Sequence, residues 1–160
     1  AALVRRRFRG EPFLAIHWRR TDFLVARSTQ PGVLQSAADV IAHSRRAMEA
    51  RRIERVYLAT DSADEREVQQ VVDALGAVRH GDAASDLLGR ARLANVEIAI
   101  CAMADFFLGT RTSSFTLAIM EERRAIFMRA PDSASEMGDA PRSEPRLKRA
   151  RPLDAKREEL

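Results

Sequence analysis

Hydrophobic positions along the chain switch between two periods, 2 and 3.6, and that alternation predicts the fold. Phe13-Leu14-Ala15-Ile16-His17-Trp18 is a strongly apolar run of strand length, and Arg55-Val56-Tyr57-Leu58-Ala59-Thr60 is a second. Between them, residues 33–51 place Val33, Leu34, Ala37, Val40, Ile41 and Met48 on one helical stripe. A helix over 63–75 follows, opened by Ser62 with Glu65 three positions on as a capping box. A short strand is placed around Ala77–Arg79. Helix over 91–104, strand over Phe106–Gly109, helix over 113–124 and a last strand over Ala125–Met128 complete the pattern. Buried strands alternating with helices of this length imply an α/β fold with a parallel sheet covered on both faces. Ligands of such open sheets bind outside the carboxyl ends of the strands. Chemistry is therefore sought just after Trp18, Thr60 and Gly109.

Composition narrows the picture in a few places. Four of the six prolines (Pro131, Pro141, Pro145, Pro152) lie beyond residue 130, among alternating charges and few large apolar residues. Residues 1–130 are thus expected to fold, and 131–160 to form a mostly disordered tail with one short helical stretch at most. The 160 residues are enough for one domain and its core. No apolar stretch nears the ~20 residues that span a bilayer, and no signal peptide is expected from the start of the chain. All but two of the 27 cationic side chains are arginine, and 23 acidic ones are interspersed with them. The cluster Arg5-Arg6-Arg7-Phe8-Arg9 is read as a solvated helix end rather than an RNA-binding patch. The lone Cys101 excludes an internal disulfide and a multi-cysteine metal site, and is expected to be packed. His43 and His80 have no partners at metal-ligand spacing.

The three strand ends are polar. After the first comes His17-Trp18-Arg19-Arg20-Thr21-Asp22. Alternation sends His17 and Arg19 one way, Trp18 and Arg20 the other. Two arginines at the end of a buried strand are costly unless they meet an anion, and a guanidinium fork suits a phosphate. The alternative is an internal ion pair of Arg20 with Asp22. After the second strand, Asp61 either supports the arginines or a ribose, or serves as a cap. After the third, Gly109-Thr110-Arg111-Thr112-Ser113-Ser114-Phe115 runs straight into a helix, gathering hydroxyls and unpaired N–H groups at its positive end. Plain N-capping by Ser113 is the competing account. Neither GxGxxG nor GxxxxGK[ST] is present.

In this order and spacing the elements are specific. HxRRxD at 17–22, the strand ending Ala59-Thr60-Asp61, Glu97-Ile98-Ala99-Ile100-Cys101, FFLGTRTSSF at 106–115 and Glu121-Glu122-Arg123 together resemble the GDP-fucose-dependent fucosyltransferases. They look most like the protein O-fucosyltransferases of the branch that modifies thrombospondin-type repeats. The resemblance spans roughly residues 12–128. It implies a Rossmann-like parallel sheet with helices on both faces, the second half of a GT-B enzyme that transfers fucose with inversion and without a metal ion or other cofactor. GDP-fucose would be the donor and a folded thrombospondin- or EGF-like repeat the acceptor, with no nucleic acid and no membrane span. A glycan acceptor, or a non-catalytic nucleotide- or RNA-binding module, is the alternative.

By the same resemblance, Arg19 would hold the β-phosphate and neutralise the leaving diphosphate, His17 would lie beside the nucleotide, and Asp22 would support the arginines. Ser113 and Ser114 would bind the diphosphate, and Phe115 would pack near base and sugar. Glu97 stands where the family often has Asp, reading the guanine N–H edge, and Ser114 where it often has Thr. The general base would be a glutamate of the first half. No counterpart is seen here, so the chain is expected to be a fragment inactive in isolation, which its start at Ala1-Ala2-Leu3-Val4 supports. The family implies the lumen of the endoplasmic reticulum, and Arg157-Glu158-Glu159-Leu160 is a KDEL-like ending.

Overall fold

The computed structural model describes residues 8–30, 32–80 and 87–138. Arg5–Arg7 and residues 139–160, including the KDEL-like ending, lie outside the described residues. The described elements are β1 (Phe13–Trp18), α1 (Phe23–Ala26), α2 (Ala37–Arg51), β2 (Arg55–Thr60), α3 (Glu65–Leu75), α4 (Leu87–Met103), β3 (Phe106–Thr110), α5 (Ser114–Ala125) and β4 (Ala134–Met137). Every pairing is parallel, in the order β2-β1-β3-β4. The strand expected around residue 78 is a single bridge from Val78 to Tyr57 on the outer side of β2. The chain thus moves outward from β1 through β2 to Val78, then returns to the other side of β1 for β3 and β4. Strand order reverses between β1 and β3, the point where open sheets of this kind bind their ligands outside the carboxyl ends.

The central strand is buried over all six residues, as a strand covered on both faces must be. Leu14, Ile16 and Trp18 pack with Val40 of α2 and with Val68 and Val71 of α3. Phe13 and Ala15 join Ile100 of α4, Phe107 of β3 and Ile119 of α5 in a second cluster. Alternate residues of β1 therefore feed two cores, one under each pair of helices, in a Rossmann-like arrangement.

Three helix starts differ from expectation, α4 beginning at Leu87 rather than residue 91. Helix α2 begins at Ala37 rather than residue 33. Ser36 caps it, accepting from the Asp39 N–H at 3.2 Å while Asp39 accepts from the Ser36 N–H at 2.9 Å. In α3 the Ser62–Glu65 box does not form. Asp64 is the cap, its Oδ1 accepting from the N–H groups of Arg66 (2.9 Å) and Glu67 (3.3 Å). A carboxylate at the positive helix end is the stronger acceptor.

The last strand also moves. Helix α5 runs on through Ala125, and the apolar stretch expected as a strand is an exposed loop, with Met128 at 87% exposure and a positive φ of 48°. The sheet edge beside β3 is taken by Ala134–Met137, inside the segment expected to be tail. Arg123 explains why. Only 2% exposed, its Nη1 donates to the carbonyls of Cys101 (2.9 Å), Ala102 (3.2 Å) and Ala104 (2.8 Å) at the end of α4. Its Nη2 donates to the Ser133 carbonyl at 2.9 Å, which holds the backbone entering β4. Met137 then fills the core with no exposure. The sheet accordingly takes in residues beyond the boundary expected at 130.

The closeness of α5 to β3 has a sequence cause. A Cβ at position 109 would lie 2.3 Å from Thr116 Cγ2 and 3.1 Å from the Phe107 ring. Gly109→Ala is expected to push the helix off the sheet and destabilise the fold by about 3 kcal/mol in denaturant unfolding. A cost below about 0.5 kcal/mol would show that this contact does not set the packing.

Candidate functional site

The carboxyl end of β1 is held from three directions. On one side, Thr60, the register partner of Trp18, donates its hydroxyl to the Trp18 carbonyl at 2.8 Å. On the other, the Thr110 hydroxyl donates to the His17 carbonyl and accepts from the Arg19 N–H, each at 2.9 Å. Asp61, beyond β2, closes the loop: its Oδ1 accepts from the N–H groups of Arg20 (2.7 Å) and Thr21 (3.4 Å), and its carbonyl accepts from the Thr21 hydroxyl. Asp61 is thus a support for the arginine loop, while Asp64 does the capping.

The two arginines part company. Arg20 turns inward, bidentate to Glu67 of α3 at 3.0 and 2.6 Å, with its guanidinium carbon 5.8 Å from the Trp18 ring. The Arg20–Asp22 pair weighed from the sequence does not form. Asp22 instead accepts from Arg19 Nε at 2.7 Å, and Arg19 Nη1 lies 3.2 Å from Asp61 Oδ2. The Arg19 side chain stays one-third exposed beyond the end of β1. The hydrogen bond to Asp22 holds its guanidinium above the usual range, and the same bond holds the Asp22 carboxyl below its own.

His17 projects toward α5. Its Nδ1 is 2.9 Å from Thr116 Oγ1, and its ring lies 4.6 Å from that of Phe115 at a tilt of 31°. Burial, with the positive charge of Arg19 adding to it, drops its pKa to about 3. The ring is therefore a neutral wall at working pH.

Helix α5 begins at the same place. Ser113 occupies the N-cap position, yet its buried side chain makes no capping hydrogen bond. The Ser113 N–H donates to the Thr110 carbonyl at 3.3 Å, Ser114 is exposed, and Thr112 has a positive φ of 59°. An uncapped helix start, with hydroxyls around it, keeps its donors for an anion. Arg19, Ser113 and the first turn of α5 are thus tied to one residue, Thr110.

Glu97 lies on α4, near enough to Asp61 and Arg79 to feel both charges. Burial pushes its pKa up to about 7, partly offset by the Arg79 guanidinium, with the charge of Asp61 adding to the rise. The nearby Tyr57 hydroxyl is buried, and burial, with the charge of Glu97 adding to it, pushes its pKa up. Of the residues expected at the site, Arg19, Asp22 and Asp61 are joined by ion pairs and His17 lies against Phe115, while Glu97 is linked to them only through the charge of Asp61. What the sequence reading left out are Thr60, Thr110 and Thr116. Threonines closing two strands that flank the same central strand are the available signal. Cys101 is fully buried, and burial pushes its thiol up, away from reactivity. Among the described residues no three His, Cys, Asp or Glu side chains are grouped to hold a metal ion, and no helix is long and apolar enough to cross a membrane.

A buried carboxyl with a raised pKa makes a signed prediction. The folded chain holds the Glu97 proton more tightly than the unfolded one. Its contribution to stability is full below the ordinary value of 4.5 and lost as pH rises to about 7. Glu97→Gln, which cannot ionise, is expected to match the parent near pH 4 and to exceed it by about 2 kcal/mol near pH 8, after allowance for solvent screening. Urea unfolding at the two pH values measures this; a gap independent of pH would place Glu97 in water.

Comparison with known proteins agrees with this geometry. The profile of the GDP-fucose protein O-fucosyltransferase family matches residues 1–126. The "GDP-fucose protein O-fucosyltransferase 2" of Caenorhabditis elegans is 34% identical over 123 residues, 73% of this chain and 27% of that protein. Its Homo sapiens counterpart is 29% identical over 119 residues, again 73% and 27%. The chain therefore spans about a quarter of the length of these curated relatives. Among solved structures, POFUT1 in complex with GDP superposes with a TM-score of 0.60 at 17% identity, over 81% of this chain and 42% of that one. NodZ α-1,6-fucosyltransferase co-crystallized with GDP gives 0.55 at 23% identity, over 74% and 38%. These two likenesses establish the fold.

Proposed function

We propose that this chain, which belongs to the GDP-fucose protein O-fucosyltransferase family, binds GDP-fucose in the crevice between β1 and β3. It supplies the nucleotide-holding part of an enzyme that moves fucose onto a Ser or Thr hydroxyl of a folded protein domain. The observation that carries the reading is the anchoring of both Arg19 and the uncapped start of α5 on Thr110. A cationic fork and a row of N–H donors facing one crevice suit a diphosphate.

In the reaction, the bond between the sugar's anomeric carbon and a β-phosphate oxygen breaks as the acceptor oxygen attacks from the opposite face, inverting that carbon. Negative charge grows on the departing diphosphate. Arg19 and the α5 N–H groups are already in place to meet it, so the reading needs no metal ion. Ser113 and Ser114 contact the phosphates, Phe115 packs with His17 beside the nucleotide, and Glu97 accepts from the N–H edge of the base. His17 stays neutral and contributes shape rather than charge. The general base, a glutamate, is placed in the other half of the enzyme, and the whole in the endoplasmic reticulum lumen. Protein acceptors are favoured over glycans by the names of the curated relatives.

Substitution separates the two arginines. In an enzyme carrying this chain as its nucleotide half, Arg19→Ala is expected to cut fucose transfer by roughly 10²–10³-fold with the melting temperature unchanged. Arg20→Ala is expected to destabilise the fold by about 2 kcal/mol, because Glu67 loses both of its charge-assisted bonds. Near-parental transfer by a folded Arg19→Ala enzyme would remove the central residue of the mechanism. Offering thrombospondin-type repeats, EGF-like repeats and oligosaccharides side by side reads the acceptor class.

A further inference from the structure

We infer that Thr110 is a positioning residue for Arg19: its side-chain hydroxyl replaces a backbone rung where β1 and β3 separate, and so aims the guanidinium at the diphosphate. The inference rests on the reading of Arg19 as the partner of that group.

The β1–β2 ladder stays closed to its end, at Trp18 and Thr60. The β1–β3 ladder stops two residues earlier, at Ile16 and Leu108. Past that point the crevice opens, and the main-chain groups of β1 that face β3 would be left without partners. These are the His17 carbonyl and the Arg19 N–H, the two polar groups that flank Trp18. A buried unpaired backbone group is costly. The Thr110 hydroxyl satisfies both at once, donating to one and accepting from the other at 2.9 Å, with no exposure to solvent. An alcohol is the side-chain group that can do both at this reach. The main-chain carbonyl of Thr110 meanwhile accepts from the Ser113 N–H. One residue thus fixes the origin of the cationic arm and the first turn of the helix that faces it. The Arg19 backbone is set before any ligand arrives, as preorganised charge stabilisation requires.

Calorimetric titration of the chain with GDP and with GMP tests this, because the two ligands differ by the β-phosphate. The parent is expected to prefer GDP. Thr110→Val, which keeps the shape and removes the hydroxyl, should lower GDP affinity about tenfold and change GMP affinity less than about twofold. Thr110→Ser should restore GDP binding to within about twofold. In an Arg19→Ala background the effect of Thr110→Val on GDP should vanish, since Thr110 acts through Arg19. Equal losses for GDP and GMP, additive effects of the two substitutions, or no rescue by serine would overturn the inference. A parent that binds neither ligand would instead overturn the nucleotide reading itself. Amide exchange in the parent provides an arm that does not depend on the valine variant folding. The Arg19 amide should be strongly protected without ligand and gain little from GDP; rapid exchange in the free chain would also overturn the inference.

Discussion

Two adjacent guanidinium groups at the end of a strand buried on both faces are the constraint around which the site is organised. Neither can be left in an apolar setting without a partner. The fold resolves them in opposite ways. Arg20 is given a fixed carboxylate, Glu67, in a bidentate pair beneath the loop, where only about an eighth of its side chain is exposed. Arg19 is given two carboxylates, Asp22 and Asp61, that are themselves reached by water. The backbone between them has no slack, because the N–H groups of residues 19, 20 and 21 all donate to side chains of neighbouring strand ends. A rigid loop presents one charge outward and retires the other.

Much of this was legible in the chain. Fully apolar runs marked β1, β2 and β3, because a strand buried on both faces leaves no polar alternation to obscure it. The rule that ligands gather at strand ends then singled out the segments after Trp18, Thr60 and Gly109, and the first and third are joined through Thr110. What could not be read depended on side chains far apart in sequence. β4 is a short polar segment with no strand signature of its own. It is held by Arg123 and by the burial of Met137, whereas the more strand-like Ile126-Phe127-Met128 lies outside because α5 continues past the expected end. The choice of Asp64 over Ser62 as cap, and of Glu67 over Asp22 as the partner of Arg20, turned on where α3 packs. Thr110 read as one hydroxyl among several, since its role exists only where two ladders part.

On the proposed reading the site is graded in charge. Arg19 and the uncapped start of α5 supply its donors, with Asp22 and Asp61 set against the arginine. His17, with its pKa driven to about 3, forms a neutral wall against Phe115. Glu97, its pKa raised to about 7, is a carboxyl that a ring N–H donor would draw toward its ionised form. GDP-fucose, the donor proposed above, carries both a diphosphate and an N–H edge that these groups would meet. On that reading a simple anion would satisfy only the first part, and recognition of the base and of the diphosphate would draw on different residues.

The partners of Arg19 also bear on turnover. On the proposed reading, a diphosphate reaching Arg19 would share the guanidinium with Asp22 and Asp61. Pairs as exposed as these contribute about 0–1 kcal/mol each, so loosening them costs little next to a charge-assisted bond to phosphate. Once the nucleotide departs, the same carboxylates recover the arginine and keep it extended at the mouth of the crevice instead of collapsing onto the sheet. Had Arg19 been sealed in a bidentate pair like that of Arg20, binding would have had to break it first. Had it been left with no acid beside it, the diphosphate would have been held more tightly than a product should be. Two weak, water-reached partners leave the arm both ready and able to release.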